Sequence, residues 1–185
     1  MLDKANKATP KGYRLAIIEG WRPPLIQRRM YAAVRKFYGE KNPQWSERYL
    51  TRFVNQFTAP MDLRVPPPHS TGGAVDVFLV NDRGEPYDMH SPHKPTDSRY
   101  FMHDALGLDP EVEKHRQILR EAMSSTELTN YPSEYWHWSY GDQGWAYRGD
   151  HPHALYGAIE PPDWKPAPED DTDEPLIFLL AQEES

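Results

Sequence analysis

The sequence predicts a single α+β domain in which helices pack on a small antiparallel sheet. The chain has 185 residues, enough for one domain with a buried core. Apolar residues recur at three- and four-residue spacing in some segments, as in helices, and form short β-branched and aromatic runs in others, as in strands. A hairpin turn signal, Asn81 to Gly84, follows one of those strand-like runs and favours antiparallel pairing.

The first part of the chain predicts a strand followed by a helix. Residues 13–18 form a short apolar run that Gly20 interrupts. Residues 25–38 place apolar side chains along one stripe, which predicts an amphipathic helix that ends at Gly39. Arg22 therefore lies in the loop between this strand and this helix.

The middle of the chain predicts a second helix and a hairpin. Ser46 is suited to cap the helix, because its hydroxyl can accept a hydrogen bond from a free backbone N–H, and the apolar stripe continues to Phe57. Residues 74–80 have the β-branched and aromatic composition of a strand. Residues 85–89 are its expected partner, and residues 90–107 have the irregular pattern of a long functional loop.

The last part of the domain predicts a capped helix and an aromatic strand. Asp109 as N-cap and Pro110 at the first helical position begin a helix that extends to about Met123. Residues 135–140 are aromatic and end at Gly141, which is typical of a strand followed by a turn.

Composition and charge exclude several classes of protein. Residues 160–185 contain nine acidic residues, one lysine and many prolines, so we expect an acidic C-terminal tail after a single domain formed by residues 1–159. The net charge of −7 falls almost entirely in that tail, which leaves no basic stripe for nucleic acid or an anionic membrane. No run of residues is apolar enough to span a membrane, and residues 1–19 lack signal-peptide features, which predicts a cytoplasmic protein.

The residues suited to chemistry are concentrated in two short motifs. The chain contains no cysteine, so a metal ion has to be held by His, Asp or Glu. His69 and Asp76 have the spacing H-x6-D, and Glu134 and His137 stand in the pattern E-x-W-H. Two imidazoles and a carboxylate suit zinc and leave a position open for water, whose proton another carboxylate can take. Four unconnected polar residues are the alternative interpretation of each motif by itself.

These motifs resemble those of the zinc D-Ala-D-Ala peptidases of the M15 family. HSTGGAVD at residues 69–76 and EYWH at residues 134–137 correspond to the family patterns S-x-H-x2-G-x-A-x-D and E-x-W-H. Within the family, the Trp-Arg-Pro sequence at residues 21–23 looks most like the Y-R-P motif of the vancomycin-resistance D-Ala-D-Ala dipeptidases. The resemblance covers about residues 13–140 and implies the small sheet-and-helix fold of hedgehog-like and D,D-peptidase domains.

The resemblance implies a cofactor, a site and an activity. His69, Asp76 and His137 would bind Zn²⁺, and Glu134 would act as general base and acid. The implied reaction is hydrolysis of D-Ala-D-Ala or a similar small D-amino-acid dipeptide, with a small peptide as the binding partner. Two alternatives remain: a D,D- or L,D-carboxypeptidase or peptidoglycan endopeptidase that acts on longer cell-wall peptides, and a non-catalytic zinc-binding module.

Arg22 is the second candidate catalytic residue. Its guanidinium has five donors, and the two prolines that follow it limit its loop, so it can stabilise negative charge that develops on a carbonyl oxygen. A surface salt bridge is the alternative. By resemblance, Arg22 would stabilise the tetrahedral oxyanion, and Glu19 would orient Arg22 or meet the substrate ammonium.

Two departures from the family pattern bear on the substrate more than on the metal. Pro67 stands where the family has a serine, so one hydroxyl contact is absent. In the loop where the family reads D-M-G-T-x-F-D, this chain has His90, His93 and Lys94 in place of the Gly, Phe and Asp. These changes indicate a pocket that favours a different, more acidic ligand.

Overall fold

The computed structural model describes residues 1–61, 64–93 and 98–167, so Lys94 and most of the acidic tail lie outside it. Helices and strands alternate irregularly along the chain, which confirms the α+β class. The elements are α1 (Leu2–Ala8), β1 (Arg14–Glu19), α2 (Pro24–Lys41), α3 (Glu47–Val54), a 3-10 helix (Pro68–Thr71), β2 (Ala74–Val80), a second 3-10 helix (Ser98–Tyr100), α4 (Pro110–Ser124), β3 (Thr129–Tyr131), β4 (Glu134–Ser139) and α5 (Gln143–Arg148). Among the described helices, none has the length and apolar character needed to cross a membrane.

The four strands form one antiparallel sheet in the order β1-β2-β4-β3. β2 therefore lies between β1 and β4, and its alternate side chains point to opposite faces of the sheet. Val75, Val77 and Leu79 point to one face and are buried in the main core. Asp76 points to the other face, directly opposite His137 of β4 in the register of the two strands.

The main core is formed between the sheet and α4. Leu119 and Met123 of α4 are buried there with Trp138 of β4, as their spacing predicts. The predicted N-cap is confirmed, because the Asp109 side chain accepts a hydrogen bond from the Glu111 backbone N–H at 2.9 Å. This half of the molecule thus fixes the backbone of β2 and β4 from behind.

A second apolar cluster lies between α2 and α3 and contains buried Val34, Tyr38, Leu50 and Val54. Ser46 caps α3, as predicted, by accepting a hydrogen bond from Tyr49 N at 3.3 Å.

The predicted ends of α2 and α3 are wrong. α2 continues through Gly39 to Lys41. Gly39 lies in the contact with α3, where a Cβ would be 3.3 Å from Leu50 Cδ2, so the absence of a side chain lets Leu50 pack closely. α3 ends at Val54 in a turn, and Phe57 lies beyond it.

Three short elements, α1, β3 and α5, are not predicted by the sequence patterns. Each has seven residues or fewer, and such pieces are stabilised by tertiary packing more than by their own propensity. The expected hairpin partner of β2 at residues 85–89 is also reduced to one bridge between Val80 and Pro86. A proline has no N–H to donate, so this position cannot contribute a full ladder of hydrogen bonds.

Candidate metal centre and active site

Three ligand atoms converge on the open face of the sheet. His69 Nε2, Asp76 Oδ1 and His137 Nδ1 lie 3.0 to 3.2 Å from one another, and all three residues are buried. Ligands about 2.0 to 2.1 Å from a zinc ion at tetrahedral angles lie about 3.3 Å apart. The donor triangle therefore has the chemistry and the size of one face of a tetrahedral zinc site.

The fold explains how residues distant in the chain meet at this point. Asp76 and His137 are opposite each other on β2 and β4, whereas His69 comes from the 3-10 helix that precedes β2. Gly72 ends that helix with φ of +70°, a left-handed conformation that favours glycine. Gly73 brings the chain against the next strand, and a Cβ on it would lie 2.6 Å from Tyr140 O. These glycines let the backbone turn between His69 and the start of β2, so that the His69 and Asp76 side chains reach the same site.

His69 is held in position by the loop that follows β1. Its Nδ1 donates to Gly20 O at 2.8 Å, and its own carbonyl accepts a hydrogen bond from Arg22 N at 3.0 Å. A protonated Nδ1 leaves Nε2 free to coordinate, and partners of this kind fix the tautomer and the ring orientation of metal-binding histidines. The same loop therefore orients His69 and carries Arg22.

The charges of the donor set favour a cation. Burial alone would raise the pKa of Asp76, but hydrogen bonds from His137 and His69 hold it far below its usual value, so the carboxylate is ionised. Burial alone would lower the pKa of His69, and the hydrogen bond and charge of Asp76 more than offset this, so that pKa is raised. A metal cation would take the place of the protons that these groups now share.

Glu134 lies beside the triangle without being part of it. Its Oε2 is 3.9 Å from His137 Nδ1, which places the carboxylate next to the ligand atoms at the start of β4. Burial raises the pKa of Glu134, although the positive charges of His137, His69 and Arg22 oppose this rise. A raised pKa makes a carboxylate a better proton acceptor and suits a group that has to accept a proton and return it.

Arg22 is oriented by two partners. Its Nε donates to Glu19 Oε1 at 2.6 Å, its NH2 donates to Glu19 Oε2, and its NH1 donates to Gln27 Oε1 at 2.6 Å. Gln27 is only 1% exposed and its Nε2 donates to Thr58 Oγ1 and Ala59 O, at 3.1 and 2.7 Å. The sequence patterns do not identify Gln27 as part of the site. Its position seven residues before buried Val34, on the inner face of α2, is the signal that could have found it.

A cavity of about 700 Å³ opens in front of the donor triangle, between the sheet and the α2–α3 pair. Of the residues that depart from the family pattern, Pro67 and His90 line it. His93 instead donates through Nε2 to Leu106 O at 3.0 Å, and it is not among the residues that line the cavity. Four residues depart from the family pattern, and within the described structure two of them, Pro67 and His90, form part of the pocket wall.

The chain after α5 returns to the site as an extended strap, residues 155–164. Leu155 N and Tyr156 N donate to Gly141 O, and Ile159 N donates to Ser70 O at 2.9 Å. The Trp164 ring then contacts Trp21 edge-on with centroids 5.7 Å apart. The strap thus binds both the 3-10 helix that carries His69 and the loop that carries Arg22.

The fold and this site define a class: an α+β domain with a buried His-Asp-His group that could hold a metal ion and an adjacent carboxylate, as in metal-dependent hydrolases. Residues 1–155 match the sequence model of the peptidase M15 family, described as D-Ala-D-Ala dipeptidase, and the chain belongs to this family. The predicted membership, and with it the class of metallopeptidase, is confirmed.

One curated relative can be compared directly. A D-alanyl-D-alanine dipeptidase of Synechocystis sp. is 32% identical in an alignment of 111 residues, which covers 51% of this chain and 45% of the relative. The chain therefore spans less than half the length of that protein.

Proposed function

We propose that this protein is a zinc-dependent peptidase that hydrolyses D-Ala-D-Ala or a similar small D-amino-acid dipeptide. The observation that carries the proposal is the triangle of His69 Nε2, Asp76 Oδ1 and His137 Nδ1, with the Glu134 carboxylate beside it at the wall of a cavity. Membership of the M15 family and the relative named D-alanyl-D-alanine dipeptidase support this substrate class.

The three ligand residues and Glu134 would divide the chemistry between them. Zinc, when bound by His69, Asp76 and His137, would supply Lewis-acid chemistry, which lowers the pKa of a water from about 15.7 toward about 7. The Glu134 carboxylate would accept a proton from the attacking water as its oxygen bonds to the scissile carbonyl carbon. It would then return that proton to the leaving nitrogen as the C–N bond breaks.

Arg22 would stabilise the carbonyl oxygen as negative charge develops on it. Among the described residues, Glu19 and Gln27 engage three of its five N–H groups, so two remain for a substrate. Because those three bonds fix the plane of the guanidinium, little reorganisation is needed when the charge appears. The surface salt bridge with Glu19 and the catalytic role are thus compatible, since the ion pair orients the donor.

The test is release of D-alanine from free D-Ala-D-Ala by the zinc-loaded protein. Glu134→Ala is the control, and we expect it to bind zinc in the same ratio as the parent while turnover falls to background. Release that continues in the variant, or a variant that has lost its zinc, would contradict the role of Glu134. A parent protein that binds zinc and releases no D-alanine would contradict the substrate.

A second candidate function, cleavage of longer cell-wall peptides, is favoured by the size of the cavity. A volume of about 700 Å³ is within the range of pockets that enclose drug-sized ligands and is more than a dipeptide fills. Comparison of D-Ala-D-Ala with its N-acylated form and with a peptide extended at the amino end separates the two. A dipeptidase should strongly prefer the free dipeptide, whereas a carboxypeptidase should prefer the extended substrates.

A further inference from the structure

Three arginines line the cavity, and they differ in how far the protein already uses their donors. Arg22 is engaged through all three nitrogens by Glu19 and Gln27. Arg116 is 2% exposed and also donates from all three nitrogens, to backbone carbonyls of the loop at residues 89–102. Arg148 donates only from NH2, to Thr129 Oγ1 at 3.2 Å and Ser139 Oγ at 3.1 Å.

The free edge of Arg148 is held next to the cavity by two features. NH2 is anchored to the sheet by its two bonds, while NH1 has no acceptor among the residues that the structure describes. The guanidinium lies directly over Gly144, where a Cβ would be 2.8 Å from NH1. Because Gly144 has no side chain, NH1 can occupy this space. Gly144 and Arg148 both line the cavity.

Arg148 is a cation without a directly bonded carboxylate. Burial lowers the pKa of Arg148, and the charge of nearby Asp142 only partly opposes this. Its Oδ1, however, accepts from Ser139 Oγ at 2.9 Å and from Trp145 N at 2.6 Å, and no ion pair joins Asp142 to Arg148 within the described residues. A half-buried guanidinium without a bonded carboxylate is stabilised by an anion that presents oxygen atoms to NH1.

The residue that anchors Arg148 lies two strand residues from the candidate metal ligand His137. Ser139, which anchors Arg148, is two residues after His137 on β4, and both point to the same face of the sheet. Two residues along a strand span about 6.6 to 6.8 Å. The Tyr131 ring lies between the two, 5.9 Å from the guanidinium carbon of Arg148 and 5.9 Å from the His137 ring.

We infer that Arg148 binds the C-terminal carboxylate of the peptide substrate, one residue beyond the scissile bond at the metal centre. The inference rests on the proposed function and adds to it the group that makes the enzyme select a free carboxyl end. Such a contact favours removal of a single C-terminal residue.

The test compares D-Ala-D-Ala with D-alanyl-D-alaninamide, which has the same shape and lacks the carboxylate charge. Arg148→Gln removes the cation. Gly144→Ala keeps the cation and pushes NH1 out of place, and alanine is well tolerated at a helical position. We expect each variant to lower kcat/KM for D-Ala-D-Ala, by about 10- to 100-fold for Arg148→Gln and less for Gly144→Ala, and to leave kcat/KM for the amide within about 2-fold.

A binding measurement separates this inference from the proposed function. Calorimetric titration of the zinc-loaded Glu134→Gln protein with both compounds does not depend on turnover, so it is informative even where the parent releases no D-alanine. We expect tighter binding of D-Ala-D-Ala than of the amide by about 10-fold or more, and loss of this preference when Arg148→Gln is added. Equal binding of the two compounds, no binding of either, or an equal loss for both on substitution would overturn the role of Arg148.

Discussion

The two sides of the cavity hold their functional groups in different ways. On the sheet side, Asp76 and His137 are placed by the register of two paired strands whose reverse face is buried in the main core. On the helical side, Arg22 is placed by hydrogen bonds to Glu19 and Gln27, and Gln27 connects it to the turn after α3. The candidate metal centre is thus held by the sheet itself, whereas the orientation of Arg22 depends on a series of polar contacts. Substitutions on the two sides should therefore affect different measurements.

The largest effect is expected for His137→Ala. It removes one of the three ligands and one of the two histidine partners of buried Asp76, so we expect loss of zinc at stoichiometric concentration and activity at background. Metal analysis after gel filtration measures this. His90→Ala is the matched control, because His90 lines the same cavity and pairs with Asp88 outside the triangle. Zinc retention by His137→Ala would show that the triangle is not the metal site.

The next effect compares the two apolar clusters by the same substitution. Leu119→Ala in the main core should lower the free energy of unfolding by about 2 to 5 kcal/mol, because it opens a cavity behind the sheet. Leu50→Ala in the α2–α3 cluster should be at the low end of that range, since this side chain is 7% exposed and its cluster is smaller. Urea unfolding of both variants measures this. A greater loss for Leu50→Ala would reverse the comparison.

A smaller effect is expected where the polar chain behind Arg22 is cut. Gln27→Met keeps the side-chain length and removes the amide, and we expect kcat/KM to fall about 10-fold with unchanged zinc content. Thr58→Val removes only the longer of the two bonds that Gln27 Nε2 donates, so its effect should be about 3-fold or less. Activity that is unchanged in Gln27→Met would show that Glu19 alone orients Arg22.

The smallest effect appears only in alkali. Burial raises the pKa of Tyr135 to about 12, against about 10 when unfolded. The folded state therefore holds this proton more tightly. The contribution of this group to the free energy of unfolding is therefore complete below pH 10 and falls by up to about 2 kcal/mol as the pH rises toward 12. Tyr135→Phe should match the parent at pH 7 and lose less stability between pH 10 and 12. Parallel pH profiles for the two proteins would contradict this.

The candidate metal centre could be predicted from the sequence because metal ligation depends on residue types at fixed spacing. His69, Asp76, Glu134 and His137 are recognisable in two short motifs, and the structure brings all four together. α4 was equally predictable, because Asp109 and Pro110 mark its start. In these cases a local pattern and the tertiary structure agree.

Other parts of the site depend on contacts that no local pattern contains. Gln27 appears in the sequence as one polar residue of α2, and only the fold shows that it connects Arg22 with Thr58. Arg148 lies on the short α5, and its role follows from its hydrogen bond to Ser139 of β4 and from the space beside Gly144, one turn earlier on α5. Such residues act through packing, and packing is decided by the whole chain.

The strand order has a consequence for how the protein is made. Asp76 is synthesised 61 residues before His137, and β4 must be inserted between β2 and β3 before the two ligands can face each other. At about 5 to 20 residues per second, translation separates them by several seconds. During that interval β1 and β2 can already pair, with one edge of β2 exposed. We therefore expect the emerging chain to gain affinity for the proposed metal only late in synthesis, when β4 has left the ribosome and closed the sheet.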